Sequence, residues 1–149
     1  MREFILYSRT GHTNGNFTSL YDAGRLDVMH ECLVAGLFLS HALRKNTIFH
    51  AALSGPPNPP LHIQIDGQTL HDVRTDQQTW TKILKNVIEG RPHPGINKDR
   101  TSFESLLKKK ANASPIYILE EHGKSFETIR VLENPVFVLG DHIGLPKTV

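Results

Sequence analysis

The amino-acid sequence predicts a single three-layer α/β domain with a mostly parallel sheet, on three observations. Short apolar runs typical of buried strands alternate along the chain with segments of helical spacing. The run Val-Phe-Val-Leu at 136–139 is apolar and half β-branched, which favours a strand covered on both faces. Trp80 opens a series of apolar residues at i, i+3, i+4, i+7 and i+8, which predicts an amphipathic helix ended by Gly90. The length of 149 residues is enough for one domain with a sizeable core.

The N-terminal third predicts a strand, a polar loop and a long helix. Residues 4–7 form a short apolar run that we interpret as a first, central strand. Residues 8–16 form a polar, glycine-containing loop, either functional or simply solvated. From Leu26 onward apolar residues recur with helical spacing, and we expect this helix to end near residues 44–46, where cations complement the helix dipole.

The middle of the chain predicts further strands joined by stiff or tight connections. We expect a strand at Thr47–Leu53, a proline-rich connector at 54–60 and a half-buried strand at 61–65. Asp66-Gly67 is a hairpin signal, with 68–71 as the short returning strand.

The following elements are assigned in the same way. We expect a loop at 91–97, a helix capped by Thr101 or Ser102, a strand at 116–119 and a weaker extended segment at 128–132.

The loop after the last predicted strand is the first candidate site. Gly140 and Gly144 allow backbone conformations and a close ligand approach that a Cβ would block, and they enclose the polar Asp141. Loops at the carboxyl ends of strands in open α/β sheets are where ligands usually bind. The alternative is an ordinary glycine turn that leaves a core strand.

Arg25 and Asp27, at the start of the first helix, are the second candidate. A carboxylate there is favoured by the helix dipole and by free N–H groups, so Asp27 also fits a capping role. A cation there opposes the dipole, which makes Arg25 the better functional candidate. The Lys108-Lys109-Lys110 run either complements the end of its helix or contacts nucleic-acid phosphates.

Composition and the absence of known motifs exclude only a few functional classes of protein. The net charge of +2 is nearly neutral, so any basic surface must come from clustering of charges. The single Cys32 fits a reducing cytoplasm, and no stretch approaches the length of a membrane span. The nine histidines show no metal-ligand spacing, and neither a dinucleotide motif, a Walker loop nor a nucleophile elbow is present.

Four segments carry a resemblance to a known family: Met1-Arg-Glu-Phe-Ile-Leu-Tyr-Ser-Arg-Thr, Ala23-Gly-Arg-Leu-Asp-Val, Leu37-Phe-Leu-Ser-His-Ala-Leu-Arg and Asn134-Pro-Val-Phe-Val-Leu-Gly-Asp-His-Ile-Gly-Leu. They resemble the archaeal tRNA (pseudouridine(54)-N(1))-methyltransferases, TrmY, of the SPOUT superfamily of knotted α/β methyltransferases. The resemblance runs from Met1 to about Pro146, and its last segment is the most specific.

The resemblance implies a reaction, a cofactor and partners. S-adenosyl-L-methionine would be the methyl donor, tRNA the substrate and N1 of a T-arm pseudouridine the acceptor, in a cytoplasmic homodimer without a membrane span or metal. The cofactor would lie against two loops that begin at Leu119 and Leu139. The cofactor-binding residues implied are Leu119, Leu139, Gly140, Asp141 and Gly144.

The resemblance also assigns the RNA side of the site. Asp27 would orient the base or take its proton, directly or through water, and Arg25 would hold a phosphate or a base carbonyl. The RNA-binding residues implied or suggested by charge are Arg9, Arg25, Lys108, Lys109 and Lys110.

Members of the resembled family continue past Val149 with a helix, a strand and a final helix, which complete the knot. We therefore expect a SPOUT-like domain that is incomplete at its C-terminus. If the protein ends at Val149, weak cofactor binding and no methyl transfer are expected. The alternative function is then a non-catalytic RNA-binding or remnant domain derived from this family.

Overall fold

The computed structural model describes residues 1–119 and 133–146, in which six strands and three helices alternate. In chain order they are β1 (Arg2–Ser8), α1 (Leu26–Leu37), β2 (Thr47–Leu53), β3 (Leu61–Asp66), α2 (Gln77–Ile88), β4 (Ile96–Asp99), α3 (Phe103–Ala111), β5 (Ile116–Ile118) and β6 (Val136–Gly140).

The strands form one six-stranded sheet in the order β4-β3-β2-β1-β6-β5. β1 lies near the middle and pairs in parallel with both β2 and β6, while β5 adds in parallel to β6. β3 and β4 extend the other side of the sheet with antiparallel pairings. The predicted α/β class, its mostly parallel sheet and the central position of the first strand are therefore confirmed.

Helices cover both faces of the sheet, as a three-layer domain requires. Alternate strand residues such as Leu6 and Phe49 point into the larger core beneath α1 and α2, where Trp80 is fully buried. The residues between them, such as Ile5 and Val138, form a smaller core beneath α3. The period-two alternation of the strands thus divides the apolar side chains between two layers.

The predicted length of the first helix is wrong. α1 ends at Leu37, because Phe38 is extended (φ −95°, ψ 134°) and the chain reverses through a bond from Leu39 N–H to Ala42 O. Phe38 and Leu43 then pair as an isolated antiparallel bridge, and both pack against the core. A tight loop therefore leaves Phe38 and Leu43 half-buried and Leu39 exposed, and helical periodicity alone cannot distinguish this loop from a further turn of helix.

The predicted hairpin after the third strand is also wrong. The N–H groups of Thr69 and Leu70 both donate to Asp66 O, so the chain makes a helical turn and residues 68–71 form no returning strand. The antiparallel partner of β3 is instead β4, in a segment that begins within the predicted 91–97 loop. Lys98 and its neighbours on β4 are exposed, so this edge strand lacks an apolar pattern. The predicted segment 128–132 lies outside the described residues.

A row of polar side chains crosses the sheet beside α3. His50 Nε2 lies 2.6 Å from Glu3 Oε1, and His50 Nδ1 lies 2.8 Å from His62 Nε2. His62 Nδ1 lies 3.0 Å from Asp99 Oδ1, and Lys110 Nζ lies 3.0 Å from Glu3 Oε1. These polar contacts, buried or half-buried, therefore join four neighbouring strands and one helix. Because the side chains are hydrogen-bonded to one another, burying them costs much less free energy than burying the same groups unpaired.

Candidate functional site

Three loops meet at the carboxyl edge of the central parallel strands. They follow β1 (residues 9–25), β2 (residues 54–60) and β6 (residues 141–146). Backbone bonds join the first two loops, from Gly55 N–H to Gly11 O at 3.0 Å and from Thr13 N–H to Pro56 O at 3.0 Å. This is the edge of an open α/β sheet at which ligands usually bind.

Arg25 and Asp27 form a two-point ion pair at the start of α1. Arg25 Nε donates to Asp27 Oδ1 at 2.9 Å, and Arg25 Nη2 donates to Asp27 Oδ2 at 3.1 Å. Gly24 (φ 70°) and Arg25 (φ 63°) are both left-handed, and this double kink turns the Arg25 side chain back toward Asp27. The carboxylate lies in the first helical turn and is not the N-cap, because Arg25 occupies that position.

This pair is partly open to solvent and remains charged. The side chain of Arg25 is 34% exposed and that of Asp27 is 12% exposed. The hydrogen bond from Arg25 lowers the pKa of Asp27 below its ordinary value, although partial burial opposes the shift. Asp27 therefore accepts hydrogen bonds well but is a weak proton acceptor.

Arg25 also lies over the ring of Tyr21, with its guanidinium carbon 4.5 Å from the ring centre. Tyr21 is 61% exposed, which is unusual for a large aromatic residue. Sequence reasoning did not select Tyr21. The one sequence feature that could have identified Tyr21 as a site residue is its position four residues before Arg25, within the same loop.

The loop after β6 is built around Asp141, whose side chain is 2% exposed. Its carboxylate accepts from the backbone N–H groups of Arg9 at 2.8 Å, Ile143 at 2.9 Å and Gly144 at 3.3 Å. A Cβ on Gly140 would lie 2.6 Å from the carbonyl carbon of Gly144, so only glycine allows the loop to fold back this closely. Asp141 thus shapes the loop and ties it to the β1 loop.

The other predicted cofactor residues lie beside this loop. Leu119 follows β5, and its N–H donates to Val138 O at 2.7 Å, so it is adjacent to the end of β6. Leu119 and Leu139 are half-buried, and a Cβ added at Gly144 (φ 98°) would meet no atom within 4 Å. The structure therefore brings all five residues to neighbouring strand ends, with apolar side chains next to open backbone. The rest of the predicted first cofactor loop, residues 120–123, lies outside the described residues.

The segment 9–12 connects the two halves of the site. Arg9 N–H binds the Asp141 carboxylate, and Thr10 Oγ1 donates to Gly24 O at 2.8 Å. A Cβ on Gly24 would overlap the carbonyl oxygen of Thr10, so these two turns are in tight contact. The Arg9 side chain is exposed, with its guanidinium carbon 5.9 Å from the centre of the Tyr7 ring.

The three predicted lysines lie away from this edge, in the last turn of α3. Lys108 and Lys109 are exposed, whereas Lys110 pairs with Glu3 near the start of β1, at the far end of the strand. The structure does not bring this run together with Arg9 and Arg25. No three or more His, Cys, Asp or Glu side chains in the described ranges are grouped to hold a metal ion. None of the helices in those ranges is long and apolar enough to span a membrane.

Comparisons with known proteins match nearly the whole chain. The model of a family described as "Putative SAM-dependent RNA methyltransferase" matches residues 1–149. The tRNA (pseudouridine(54)-N(1))-methyltransferase of Methanococcus maripaludis is 36% identical over 159 aligned positions, covering 97% of this chain and 80% of the relative. The enzymes of the same name from Methanocaldococcus jannaschii and Pyrococcus abyssi are 34% and 35% identical, each over 97% of this chain and over 78% and 80% of their own lengths.

Proposed function

Because the chain belongs to this family of S-adenosylmethionine-dependent RNA methyltransferases, we propose that it methylates N1 of pseudouridine 54 in tRNA. Identity of 32–36% to eight enzymes of that name, over 97–99% of the chain, carries the proposal. The gathering of Arg25, Asp27 and the Gly140–Gly144 loop at one edge of the sheet supports it independently of the names.

The loops at the ends of β5 and β6 would hold S-adenosylmethionine. Leu119 and Leu139 offer apolar surface, and the open backbone at Gly144 allows a close approach. Asp141 holds the loop by three N–H bonds, so the geometry is set before a ligand arrives. When bound, the cofactor supplies a methyl group activated by its positive sulfur.

Asp27 is proposed to orient the acceptor base. N1 of pseudouridine carries a proton that must leave during methylation. An ionised carboxylate has about four lone-pair positions; Arg25 donates to one on each oxygen, and the part of the carboxylate that is open to solvent is proposed to accept the N–H hydrogen bond of the base. The lowered pKa of Asp27 favours this orienting role, with the proton passing on to water, over a role as a strong base.

Arg25 is proposed to bind the RNA beside Asp27. Two of its five N–H hydrogens are used by Asp27, which leaves three for a phosphate or a base carbonyl. The Tyr21 ring and the Asp27 carboxylate fix the guanidinium plane, so little conformational freedom is lost on binding. Arg9, whose backbone joins the two loops, is the second proposed RNA contact at this edge.

The test is methyl transfer from radiolabelled S-adenosylmethionine to two tRNA transcripts that differ only in carrying pseudouridine or uridine at position 54. We expect label in the first transcript alone and 1-methylpseudouridine in its digest. A purified, folded protein that labels neither transcript would contradict the proposal. Retained tRNA binding in that case would favour the non-catalytic alternative.

The role of Asp27 is tested by Asp27→Asn, which keeps the shape and removes the charge. We expect kcat to fall by about a hundredfold or more, because an orienting and charge-stabilising group is lost. Asp22→Asn is the matched control, since Asp22 lies exposed in the same loop, and its kcat should stay within about twofold of the unsubstituted protein. An unchanged kcat for Asp27→Asn would remove Asp27 from the mechanism.

The family resemblance also leads us to propose a homodimer that works in the cytoplasm. Sedimentation of the purified protein tests the first point, and fractionation of the source cells tests the second.

A further inference from the structure

A basic pocket lies at the opposite edge of the sheet from the candidate site. It has a volume of about 430 Å³ and is formed where β1, β2 and β6 begin. Because β1 has seven residues, the two edges are separated by about 20 Å. The residues lining the pocket are Met1, Arg2, Arg44, Lys45, Asn46, Thr47, Asn134 and Pro135.

The lining carries three cationic side chains and no carboxylate. Arg2 and Lys45 are exposed and Arg44 is half-buried. Within the part of the chain that the structure describes, none of the three forms a side-chain hydrogen bond or ion pair. Glu133 precedes the lining residue Asn134 but is not part of the lining. Like charges without counter-charges repel one another, so an anion bound among them would be favoured.

Among the described residues, no charged partner or helix end explains the position of Arg44 and Lys45. Sequence reasoning attributed Arg44 and Lys45 to the end of a helix, where they would complement its dipole. α1 ends at Leu37, seven residues before Arg44, so that explanation fails. Their placement in the lining of a pocket instead suits an anionic ligand.

The backbone that carries these residues is held from several directions. Arg44 N–H donates to Leu37 O at 2.7 Å, and Arg2 N–H donates to Asn46 O at 3.0 Å. Gly67 packs so closely that a Cβ there would overlap Arg44 O. The cations therefore extend from fixed points, and binding a ligand orders only their side chains.

We propose that this basic pocket, with Arg2, Arg44 and Lys45, binds a phosphate of the RNA backbone outside the catalytic edge. The inference rests on the proposed function, because RNA is the polyanion that this protein would meet as a substrate. Arginine matches phosphate oxygens with two parallel N–H bonds, and lysine adds a point charge. The contact is independent of base sequence, so it contributes affinity and orientation but no selection of position 54.

The test compares two double variants that remove the same charge. Arg44→Gln combined with Lys45→Gln removes two positively charged side chains from the lining of the pocket. Lys82→Gln combined with Arg91→Gln removes two exposed cations, one on α2 and one just after it. Binding of a labelled tRNA transcript is followed by fluorescence anisotropy over a series of KCl concentrations, and circular dichroism melting checks that each variant is folded.

For the pocket variant we expect the slope of log affinity against log salt to decrease in magnitude by about 1, because one phosphate contact is lost, and affinity at 0.1 M salt to fall by about five- to tenfold. The control should keep the original slope. Methyl transfer by the pocket variant at saturating tRNA should keep its kcat, with the loss confined to KM.

The proposal is overturned if the folded pocket variant keeps the original slope and affinity, or if the control loses as much. Failure of methyl transfer by the unsubstituted protein would instead overturn the proposed function. The two failures are measured separately, because tRNA binding requires no chemistry.

Discussion

The buried carboxylate of Glu3 leads to the most quantitative prediction. Its side chain is 11% exposed and accepts from His50 and from Lys110. Burial alone would raise its pKa, but the hydrogen bonds and positive charge of these partners outweigh it and lower the pKa from 4.5 to about 2. The perturbation is Glu3→Gln, which preserves size and removes the charge.

The magnitude follows from linkage between protonation and folding. A carboxyl group that is more acidic in the folded state than in the unfolded state stabilises the fold whenever it is ionised in both. The fall from 4.5 to about 2 corresponds to about 3 kcal/mol of unfolding free energy, at about 1.4 kcal/mol for each pKa unit. This contribution is complete above the unfolded pKa and is lost as pH falls from 4.5 toward 2.

The assay is urea unfolding followed by circular dichroism at a series of pH values from 7 to 3. At pH 7 we expect Glu3→Gln to be less stable by about 3 kcal/mol. The difference should shrink as pH falls, because the unsubstituted protein loses the same contribution by protonation. Glu31→Gln on the exposed face of α1 is the control, and its effect should stay within about 0.5 kcal/mol.

Two results would refute the reasoning. A difference at pH 7 no larger than that of the control would mean that the ion pairs of Glu3 contribute nothing net. A large difference that is the same at pH 3 as at pH 7 would mean that shape, and not charge, is lost in the variant.

Three further predictions concern the site loop, the cofactor and the sheet. Asp141→Asn removes the negative charge of a carboxylate that accepts three backbone N–H hydrogen bonds. We expect the free energy of unfolding in urea to fall by about 1 to 3 kcal/mol, and calorimetry to show weaker S-adenosylhomocysteine binding. Unchanged binding would show that the loop does not depend on this carboxylate. S-adenosylhomocysteine at about a hundredfold excess over its Kd should raise the Tm of the protein by roughly 5 to 10 °C, whereas AMP should leave Tm unchanged. Equal shifts in Tm for both ligands would indicate a site that binds nucleotides in general. Burial and the nearby His50 lower the pKa of His62, so as pH falls below about 6.5 the unfolded state is protonated first and the free energy of unfolding should decrease. In urea unfolding, His62→Gln should make stability depend less on pH over this range. An unaltered pH profile for the variant would contradict this prediction.

Sequence alone identified the elements whose signals are local. The i, i+3, i+4 spacing from Trp80 predicted α2, and the apolar run at 136–139 predicted β6. Thr101 or Ser102 was expected to cap α3, and the cap is Ser102. Each of these signals is complete within a few residues of chain, because a helical face or a cap requires only near neighbours. The motif Val-Leu-Gly-Asp-His-Ile-Gly likewise identified the family, since it is specific without any knowledge of contacts.

Only the tertiary structure decided the features that depend on distant partners. α1 stops at Leu37 because a tight loop packs Phe38 and Leu43 against the core, and both are half-buried there. β4 forms because it pairs with the edge of β3. Nothing in the sequence indicated that the Asp141 carboxylate binds the backbone of Arg9, 132 residues earlier. Periodicity and propensity describe a residue's neighbours in sequence, whereas hydrogen bonds and burial at these positions are set by elements that fold together from opposite ends of the chain.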